Sequence, residues 1–277
     1  MIIIDNNQII LASIFGCIRN GEVNEDVLRH MVLNTYRMYR NKFKDKYGEL
    51  VIANDSKNCW RKDVFPYYKA NRRKQQDASK FDWNVIFDAL NLIRDEVKET
   101  FPFKNITVER AEADDIIGVL AKTYHQVEPI VIISNDKDFQ QLQRYPNVRQ
   151  YSPMKKTFLK CDNPEQFLAE HIVKGDSSDG IPNILSEDDV FMCEDKRQTP
   201  CGKRKMEQIF SEMDKWSNER NYDRNNRMIN LNMVPSYIED EVLSEFKKET
   251  QSDGSKVLSY FIEKRLRNLM ENIQEFV

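Results

Sequence analysis

The chain has 277 residues, of which 40% are hydrophobic and 31% are charged, with a formal net charge of −3. This length allows a substantial core, and no apolar run reaches the ~20 residues that a membrane-spanning helix needs. Five scattered cysteines and three isolated histidines form neither a disulfide framework nor a zinc motif. We therefore expect a cytoplasmic protein with no membrane segment, in which each histidine is a surface or core residue.

Short apolar runs alternate with helical patterns in the first two thirds of the chain. The runs Ile2–Ile4, Leu50–Ala53 and Ile130–Ile133 predict buried parallel strands. Helical spacing predicts helices over residues 26–39, 83–97 and 113–124, and later over 203–213, 238–246 and 256–276. This order indicates an α/β fold with a central, mainly parallel sheet. We predict an α/β domain over residues 1–180, with an insertion at 56–80, and a helical portion over residues 181–277.

Acidic residues follow each predicted strand at once. Asp5 follows the first strand, Asp55 the second, and Asp136 and Asp138 the third. In open α/β sheets, ligands bind beyond the carboxyl ends of the strands. We therefore expect these side chains to share one edge of the sheet.

Two further acidic groups lie outside the strands. Glu112, Asp114 and Asp115 open a predicted helix, and Asp176 and Asp179 lie in a Gly-Asp-x-x-Asp-Gly turn. Either group alone favours a structural role, because a helix N-terminus attracts acids and a turn solvates them. If all the acids converge, however, they cannot all stay ionised without counter-charge.

Hard divalent cations are the counter-charge that carboxylate oxygens bind best. The sequence therefore predicts two Mg²⁺ ions, with Mn²⁺ as a substitute. Two ions ~4 Å apart can activate a water molecule and stabilise both oxygens that exchange at phosphorus. Other carboxylate chemistries fit less well: Asp5 lacks the second aspartate of phospho-aspartate phosphatases, and a glycosidase needs only two carboxyls. The phosphate-binding loop of nucleotide-driven motors is also missing from the sequence.

The insertion at 56–80 is basic and aromatic. Residues 57–80 contain eight Lys or Arg and two acids. Such a segment can bind phosphates and stack on bases, although a solvated helix whose aromatics pack on the core is an equal alternative. Lys69 and Arg72 lie three residues apart and could hold one phosphate. The residues that we predict to contact nucleic acid here are Arg61, Lys62, Tyr67, Tyr68, Lys69, Arg72 and Arg73.

These motifs together resemble the flap endonuclease (5′ nuclease) family. The matching segments are Ile4-Asp5, Asn54-Asp55, Glu112 to Asp115, Ser134 to Phe139, Gly175 to Pro182 and, in the helical arch of the family, Tyr68 to Arg72. The likeness extends over nearly the whole chain to the ribonuclease H branch of the family in T-even bacteriophages, through Tyr145 to Val148, Tyr151 to Met154 and the terminal Glu275-Phe276.

The resemblance implies a role for each acid. One metal site would take Asp55, Glu112, Asp114, Asp136 and Asp138, and a second would take Asp5, Asp176 and Asp179 with shared ligands. Asp115 would act in the outer shell of the metal centre. Lys69 and Arg72 would contact the scissile phosphate, and with Asp136 they form the predicted catalytic set.

The implied activity is that of a 5′→3′ exonuclease and flap endonuclease that acts on DNA and RNA–DNA duplexes and removes RNA primers. We expect a monomer in the cytoplasm, inside the host cell if the source is viral, with a single-stranded-DNA-binding protein as a partner by analogy. Coupling to a sliding clamp is not expected, because the chain starts almost at its first strand.

Leu185 to Asp189 replaces the glycine-rich hairpin with which many family members hold duplex DNA. The basic stretch Lys196 to Lys205 could take over this contact, through Lys203, Arg204 and Lys205. Two alternatives remain at this stage. A non-catalytic DNA-binding protein would lack a carboxylate at some strand end, and a PIN-type ribonuclease would usually be shorter and lack the arch.

Overall fold

A computed structural model describes residues 1–19 and 22–277, except for the side chains of residues 19, 73–75 and 77. The predicted nucleic-acid contact of Arg73 therefore lies outside the described side chains. In chain order the elements are β1 (Ile2–Asp5), α1 (Asn6–Cys17), β2 (Ile18–Arg19), β3 (Glu22–Val23), α2 (Glu25–Tyr47), β4 (Leu50–Asn54), α3 (Arg61–Val64), α4 (Ala70–Asp77), α5 (Trp83–Thr100), β5 (Lys104–Thr107), α6 (Ala113–Tyr124), β6 (Ile130–Ile133), β7 (Val148–Ser152), β8 (Thr157–Leu159), α7 (Pro164–Lys174), α8 (Lys203–Ser211), α9 (Met213–Trp216), α10 (Arg220–Ile229), α11 (Ser236–Lys247), α12 (Val257–Glu263) and α13 (Arg267–Met270). Short 3-10 helices span Lys137–Arg144, Ser177–Asp179, Leu231–Met233 and Ile273–Glu275.

The central sheet of the described chain has the strand order β5-β4-β1-β6-β7-β8. All neighbouring strands are parallel except β7 and β8, which are antiparallel. The register pairs Asp5 with Ala53 and Ile4 with Ile133, so β1, β4 and β6 end at the same level. This confirms the predicted mainly parallel sheet and brings the acids that follow these strands to one edge.

The sheet is covered on both faces, which explains why its central strands are apolar throughout. Ile2 and Ile4 belong to a core formed with α1, α2, α5 and the C-terminal segment. Ile3 points to the opposite face and packs with α6 and α11. No helix in residues 1–19 and 22–277 is long and apolar enough to span a membrane.

The three predicted strands are confirmed, and the helix predicted over residues 113–124 coincides with α6. The single helix predicted over residues 256–276 is wrong. Arg265 has a φ of 55°, and the amide of Leu266 donates to the carbonyl of Phe261 at 2.8 Å. These features form a Schellman motif, which ends α12 and turns the chain before α13.

The C-terminal segment belongs to the same core as the first strands. Phe276 is fully buried, with its ring centroid 5.7 Å from that of Phe101 and 5.2 Å from that of Phe261. Arg40 of α2 also donates to the carbonyl of Glu275 at 2.9 Å. One core thus crosses residue 180, and the division of the chain into domains at that point stays a prediction.

We predict that Phe276→Ala lowers the free energy of unfolding by about 3–5 kcal/mol, because it leaves a cavity between buried rings. Urea unfolding monitored by circular dichroism measures this change. Ile262→Ala is the matched control, because Ile262 in α12 is 59% exposed and its truncation should change stability by no more than about 0.5 kcal/mol. A loss below about 1 kcal/mol for Phe276→Ala would show that the C-terminal segment is not part of the cooperative core.

Candidate functional site

The first two strand ends place Asp5 and Asp55 side by side. Asp5 ends β1, caps α1 and accepts a hydrogen bond from Ser134 Oγ at 3.0 Å. Asp55 follows β4 and accepts from the amide of Ala113 at 2.7 Å. This second bond ties the end of β4 to the start of α6, so both acids are held by backbone elements rather than by mobile loops.

The start of α6 brings Glu112 to the same edge. Glu112 is the N-cap of α6, and its side chain and that of Asp115 form a capping box. The Glu112 carboxylate accepts hydrogen bonds from Lys69 Nζ at 2.6 Å and from Tyr68 Oη at 2.8 Å. Burial opposes its ionisation most strongly, but Lys69 and Arg61 outweigh burial and lower the pKa of Glu112 to about 2.

The end of β6 contributes the acids of the Ser134–Asp138 segment. The amide of Asp138 donates to Asp136 Oδ1 at 2.9 Å, and the amide of Asp136 donates to Ser134 Oγ at 3.0 Å. Since Ser134 also donates to Asp5, one hydroxyl links the ends of β1 and β6. The turn is therefore fixed with Asp136 beside Asp5 and with Asp138 beside Asp136 and His171.

The Gly175–Gly180 turn brings Asp176 to the end of this row. Gly175 has a φ of 67°, and a Cβ at this position would lie 2.4 Å from the carbonyl oxygen of Ile181, so only glycine fits. The Asp176 carboxylate accepts from the amide of Ser178 at 2.8 Å and from Lys137 Nζ at 2.9 Å. Hydrogen bonds from His171, Ser178 and Lys137 lower the pKa of Asp176 although burial opposes them.

The acids in the middle of the row are crowded. Burial, followed by the carboxylates of Asp55 and Asp136, raises the pKa of Asp5 to about 7. Burial and Asp136 raise the pKa of Asp138 to about 7 as well. For Asp114, burial and then Asp136 and Asp5 raise the pKa well above its usual range. Burial also raises the pKa of Asp55. These carboxylates repel one another in a poorly solvated site, which is the environment that binds divalent cations.

The grouping of the acids differs from the expected one at Asp5, and Asp115 lies apart from the others. Asp5 lies with Asp55 and Asp136, whereas the resemblance grouped it with Asp176 and Asp179. Asp115 is fully buried, and its carboxylate contacts Arg61 Nη2 at 2.8 Å and Trp60 Nε1 at 3.0 Å. Asp115 thus points away from the crowded carboxylates toward a buried cation.

Two residues that we expected to contact nucleic acid lie inside the protein. Arg61 is only 2% exposed and contacts Glu112 at 3.0 Å, and its Nε donates to the carbonyl of Met228. Tyr68 is also buried, and its hydroxyl donates to Glu112. In this structure both side chains are turned inward toward the carboxylates, and their contacts with nucleic acid stay predictions. Lys62 and Tyr67 are exposed, and their predicted contacts stay predictions.

The expected arch residues Lys69 and Arg72 do reach the acidic edge. Lys69 has a φ of 56°, and its amide donates to the carbonyl of Asp179 at 2.8 Å, which docks the start of α4 on the glycine turn. Arg72 forms an ion pair with the Asp179 carboxylate, and Lys69 Nζ lies 3.8 Å from it. Lys69 and Arg72 also line an open groove of about 600 Å³ between α4 and α5, which contains Trp83 and Phe87. Asp179 therefore faces the arch cations.

The acids of the segment that replaces the glycine-rich hairpin are all paired with nearby lysine or arginine side chains. Asp188 pairs with Arg220 at 2.8 Å and with Arg224. Lys196 pairs with Asp189 and Glu187, each at 2.7 Å, so this cation is engaged within the loop. Lys203 and Arg204 are exposed at the start of α8, and Lys205 is half-buried with its Nζ 5.8 Å from the Trp216 ring centroid. The predicted duplex contacts of these three residues stay predictions.

His171 is the residue of the site that the sequence analysis missed. It is buried at the end of α7, with Nε2 3.2 Å from Asp176 Oδ2 and Nδ1 3.5 Å from Asp138 Oδ1. His171, Asp138 and Asp176 offer three ligand atoms that lie within 4.8 Å of one another. A helix start at Asn163-Pro164 was readable from the sequence, and it would have placed His171 one turn before Asp176.

Comparison with known proteins agrees with this geometry. The sequence profile of the 5'-3' exonuclease N-terminal resolvase-like domain matches residues 1–171, and that of the T4 RNase H C-terminal domain matches residues 163–276. The chain is 30% identical to the ribonuclease H of Enterobacteria phage T4, over 99% of this chain and 95% of the relative. It is also 28% identical to a 5'-3' exonuclease of Buchnera aphidicola, over 66% of this chain and 65% of that protein.

Solved structures show the same fold. The D15 flap endonuclease of bacteriophage T5, in a pseudo-enzyme–product complex with DNA and metal ions, superposes with a TM-score of 0.65 at 18% identity, over 89% of this chain and 99% of that chain. The T5 D15 protein co-crystallised with metal ions gives a TM-score of 0.64 at 16% identity, over 88% and 97% of the two chains.

We predict that Arg61→Met lowers the free energy of unfolding by about 3–5 kcal/mol, because it leaves Asp115 charged and buried without its partner. Urea unfolding at neutral pH measures the loss. Lys62→Met is the control, since the neighbouring Lys62 is exposed and its replacement should change stability by about 0.5 kcal/mol at most. If Arg61→Met left stability unchanged and weakened only DNA binding, the buried structural role of Arg61 would be refuted.

Proposed function

Because the chain belongs to the 5'-3' exonuclease family, we propose that it is a divalent-metal-dependent 5′→3′ exonuclease and flap endonuclease that hydrolyses phosphodiester bonds in DNA and in RNA–DNA duplexes. The observation that carries this proposal is the row of crowded carboxylates at the carboxyl ends of β1, β4 and β6, with Lys69 and Arg72 beside it. A non-catalytic DNA-binding protein would not need a carboxylate at each of these strand ends.

The donor set fits two divalent cations. Asp5, Asp55, Asp114 and Asp136 act on one another electrostatically and would hold the first ion, with Glu112 beside Asp55. Asp138 and Asp176 lie at the other end of the row and would contribute to the second ion. Asp138 Oδ1 is buried and makes no hydrogen bond to the described residues, as expected of an atom that is free to bind a cation. Mg²⁺ is the proposed physiological ion and Mn²⁺ a substitute, because both accept carboxylate and water oxygens.

Bound cations would activate the attacking water and offset the charge that develops on the phosphate. Hydrogen bonds and ion pairs within the protein position the carboxylates that would hold these cations. The hydrogen bonds from Ser134 and Ala113 orient Asp5 and Asp55 toward the substrate edge. Arg61 stabilises Glu112 and Asp115 from the buried side and keeps the start of α6 in place. Asp115 therefore acts as a positioning residue and not as a metal ligand.

Lys69 and Arg72 are the proposed phosphate contacts. Lys69 Nζ lies 2.6 Å from Glu112 Oε1, so it is already beside the carboxylates that would hold a cation. A divalent ion at Glu112 would take over the neutralisation of this carboxylate, which leaves Lys69 to donate to the scissile phosphate. Arg72 is 47% exposed at its side chain and can approach the same phosphate from the open groove. Stabilisation of developing charge by such prearranged donors is a large part of catalysis.

The proposed substrate is a flapped or nicked duplex whose 5′ strand approaches the arch, with RNA primers of lagging-strand fragments among its targets. The exposed residues Lys62 and Tyr67 would contact the unpaired strand, and Lys203, Arg204 and Lys205 the duplex. We propose that the protein acts as a monomer in the cytoplasm and that a single-stranded-DNA-binding protein presents the displaced strand.

The test is a cleavage assay on a 5′-labelled flap-and-nick duplex in Mg²⁺ and then in EDTA. Release of short 5′ fragments in Mg²⁺ but not in EDTA supports the proposal. Binding of the duplex with no cleavage in Mg²⁺ and none in Mn²⁺ refutes it.

We predict that Asp136→Asn lowers turnover of the flap duplex by about 10²–10³-fold or more, since the central carboxylate of the row loses its charge. Folding and DNA binding should be retained, as measured by thermal unfolding and by fluorescence anisotropy with labelled flap DNA. Asp162→Asn is the matched control, because Asp162 is exposed in a loop and pairs only with Lys160 among the described residues. Near-normal cleavage by Asp136→Asn would remove Asp136 from the metal site.

We predict that Lys69→Ala and Arg72→Ala each reduce kcat by about 10²-fold with a smaller effect on KM, because the donors stabilise charge that develops only in the transition state. Steady-state kinetics on the flap duplex separate the two parameters. Lys80→Ala serves for comparison, since Lys80 is an exposed lysine at the end of the same segment. An increase in KM without a loss of kcat would make the arch cations general DNA-binding residues.

A further inference from the structure

His171 lies between two acids of the site and contacts each with a different ring nitrogen. Its side chain is 7% exposed. Nε2 lies 3.2 Å from Asp176 Oδ2, and Nδ1 lies 3.5 Å from Asp138 Oδ1. The first separation is within hydrogen-bond range and the second is beyond it.

This difference favours the tautomer of the neutral imidazole that carries its hydrogen on Nε2. In that tautomer Nε2 donates to Asp176, whose other oxygen accepts from the amide of Ser178 at 2.8 Å. Nδ1 then presents its lone pair toward Asp138. Nδ1 and Asp138 Oδ1 are both buried, and neither makes a hydrogen bond within the described part of the chain. Two electron-rich atoms that face each other in a dry site repel one another unless a proton or a metal cation lies between them.

We propose that His171 Nδ1 and Asp138 Oδ1 are adjacent ligands of one divalent cation, and that Asp176 orients the imidazole through Nε2. Adjacent ligands at metal distances of ~2.0–2.2 Å lie about 2.8–3.6 Å apart in octahedral or tetrahedral geometry. The observed separation of 3.5 Å falls in this range. A carboxylate that holds the second ring nitrogen of a metal-binding histidine is the usual way to set its tautomer and direction.

The nitrogen donor determines which ions the site prefers. A site of carboxylates alone suits Mg²⁺ and Mn²⁺, whereas an imidazole among the carboxylates favours ions such as Fe²⁺ or Zn²⁺ and is accepted more readily by Mn²⁺ than by Mg²⁺. The inference rests on the proposed function, because this ion is one of the two that the carboxylate row would hold. It adds that the two ions differ: the Asp5–Asp136 end offers oxygen ligands, and the Asp138 end offers one nitrogen. The second position is thus selective for a borderline transition-metal ion.

Pulsed electron paramagnetic resonance of the full-length protein with Mn²⁺ alone detects a nitrogen ligand directly. We expect nuclear modulation from an imidazole ¹⁴N in the wild type, replaced by a ¹⁵N coupling in protein labelled with ¹⁵N-histidine. The labelled wild type needs no mutation, so its result does not depend on whether a variant folds. Bound Mn²⁺ without histidine nitrogen coupling overturns the inference and leaves the proposed function intact.

Isothermal titration with Mn²⁺ and with Mg²⁺ gives a second measurement. We expect His171→Gln to weaken Mn²⁺ binding at one site by about 10-fold or more, with a smaller loss for Mg²⁺. His125→Gln is the matched control, since His125 follows the C-terminus of α6, about 20 Å along the helix from Glu112. Equal losses for the two ions, or no loss in His171→Gln, overturn the inference. If the wild type binds neither ion, the proposed function fails as well, so the two failures are distinguishable.

Discussion

Repulsion between like charges at one edge of the sheet is the constraint around which this molecule is built. Parallel strands end together, so Asp5, Asp55 and Asp136 cannot avoid one another once the register of β1, β4 and β6 is set. The repulsion between these carboxylates destabilises the fold, and the burial of apolar side chains on both faces of the sheet offsets this loss. Among the described residues, Lys69 contacts the row at Glu112, at one end, and Lys137 contacts it at Asp176, at the other. The middle is left electrostatically unsatisfied, which is what a cation-binding site requires.

The buried cation Arg61 connects this edge to the rest of the fold. It contacts Asp115 and Glu112 at the start of α6, and its Nε donates to the carbonyl of Met228 at the end of α10. The basic segment, the sheet edge and the helical portion therefore share one buried ion-pair network. A buried network of this kind loses far more when one member is removed than a surface ion pair does. It anchors the start of α3 to the sheet edge, next to the open groove that Lys69 and Arg72 line.

The strands and the acids that follow them could be predicted because strand order and the position of a residue after a strand are local properties of the sequence. The direction of a side chain is not local. Asp114 and Asp115 are neighbours at the start of one helix, yet only Asp114 acts on the other carboxylates, while Asp115 pairs with Arg61. Arg61 and Tyr68 were assigned to nucleic acid on their chemical type, but the burial of Trp60 and Phe65 beside them carries both side chains inward. His171 was missed because its contacts with Asp138 and Asp176 depend on the direction of its side chain in the folded protein, which the sequence does not show.

In the proposed function, the arch cations Lys69 and Arg72 connect substrate binding to metal binding. In this structure Lys69 neutralises Glu112, and Arg72 neutralises Asp179. Lys69 is mostly buried, so Glu112 can exchange this cation for a divalent ion only if Lys69 finds another anion, because a free buried charge is costly. A phosphate beside the row is such an anion. Phosphate and divalent ion should therefore each favour the binding of the other, and this coupling is reciprocal by thermodynamic necessity. On this proposal, the Lys69–Glu112 ion pair favours the catalytic arrangement of charges when a nucleic acid is bound.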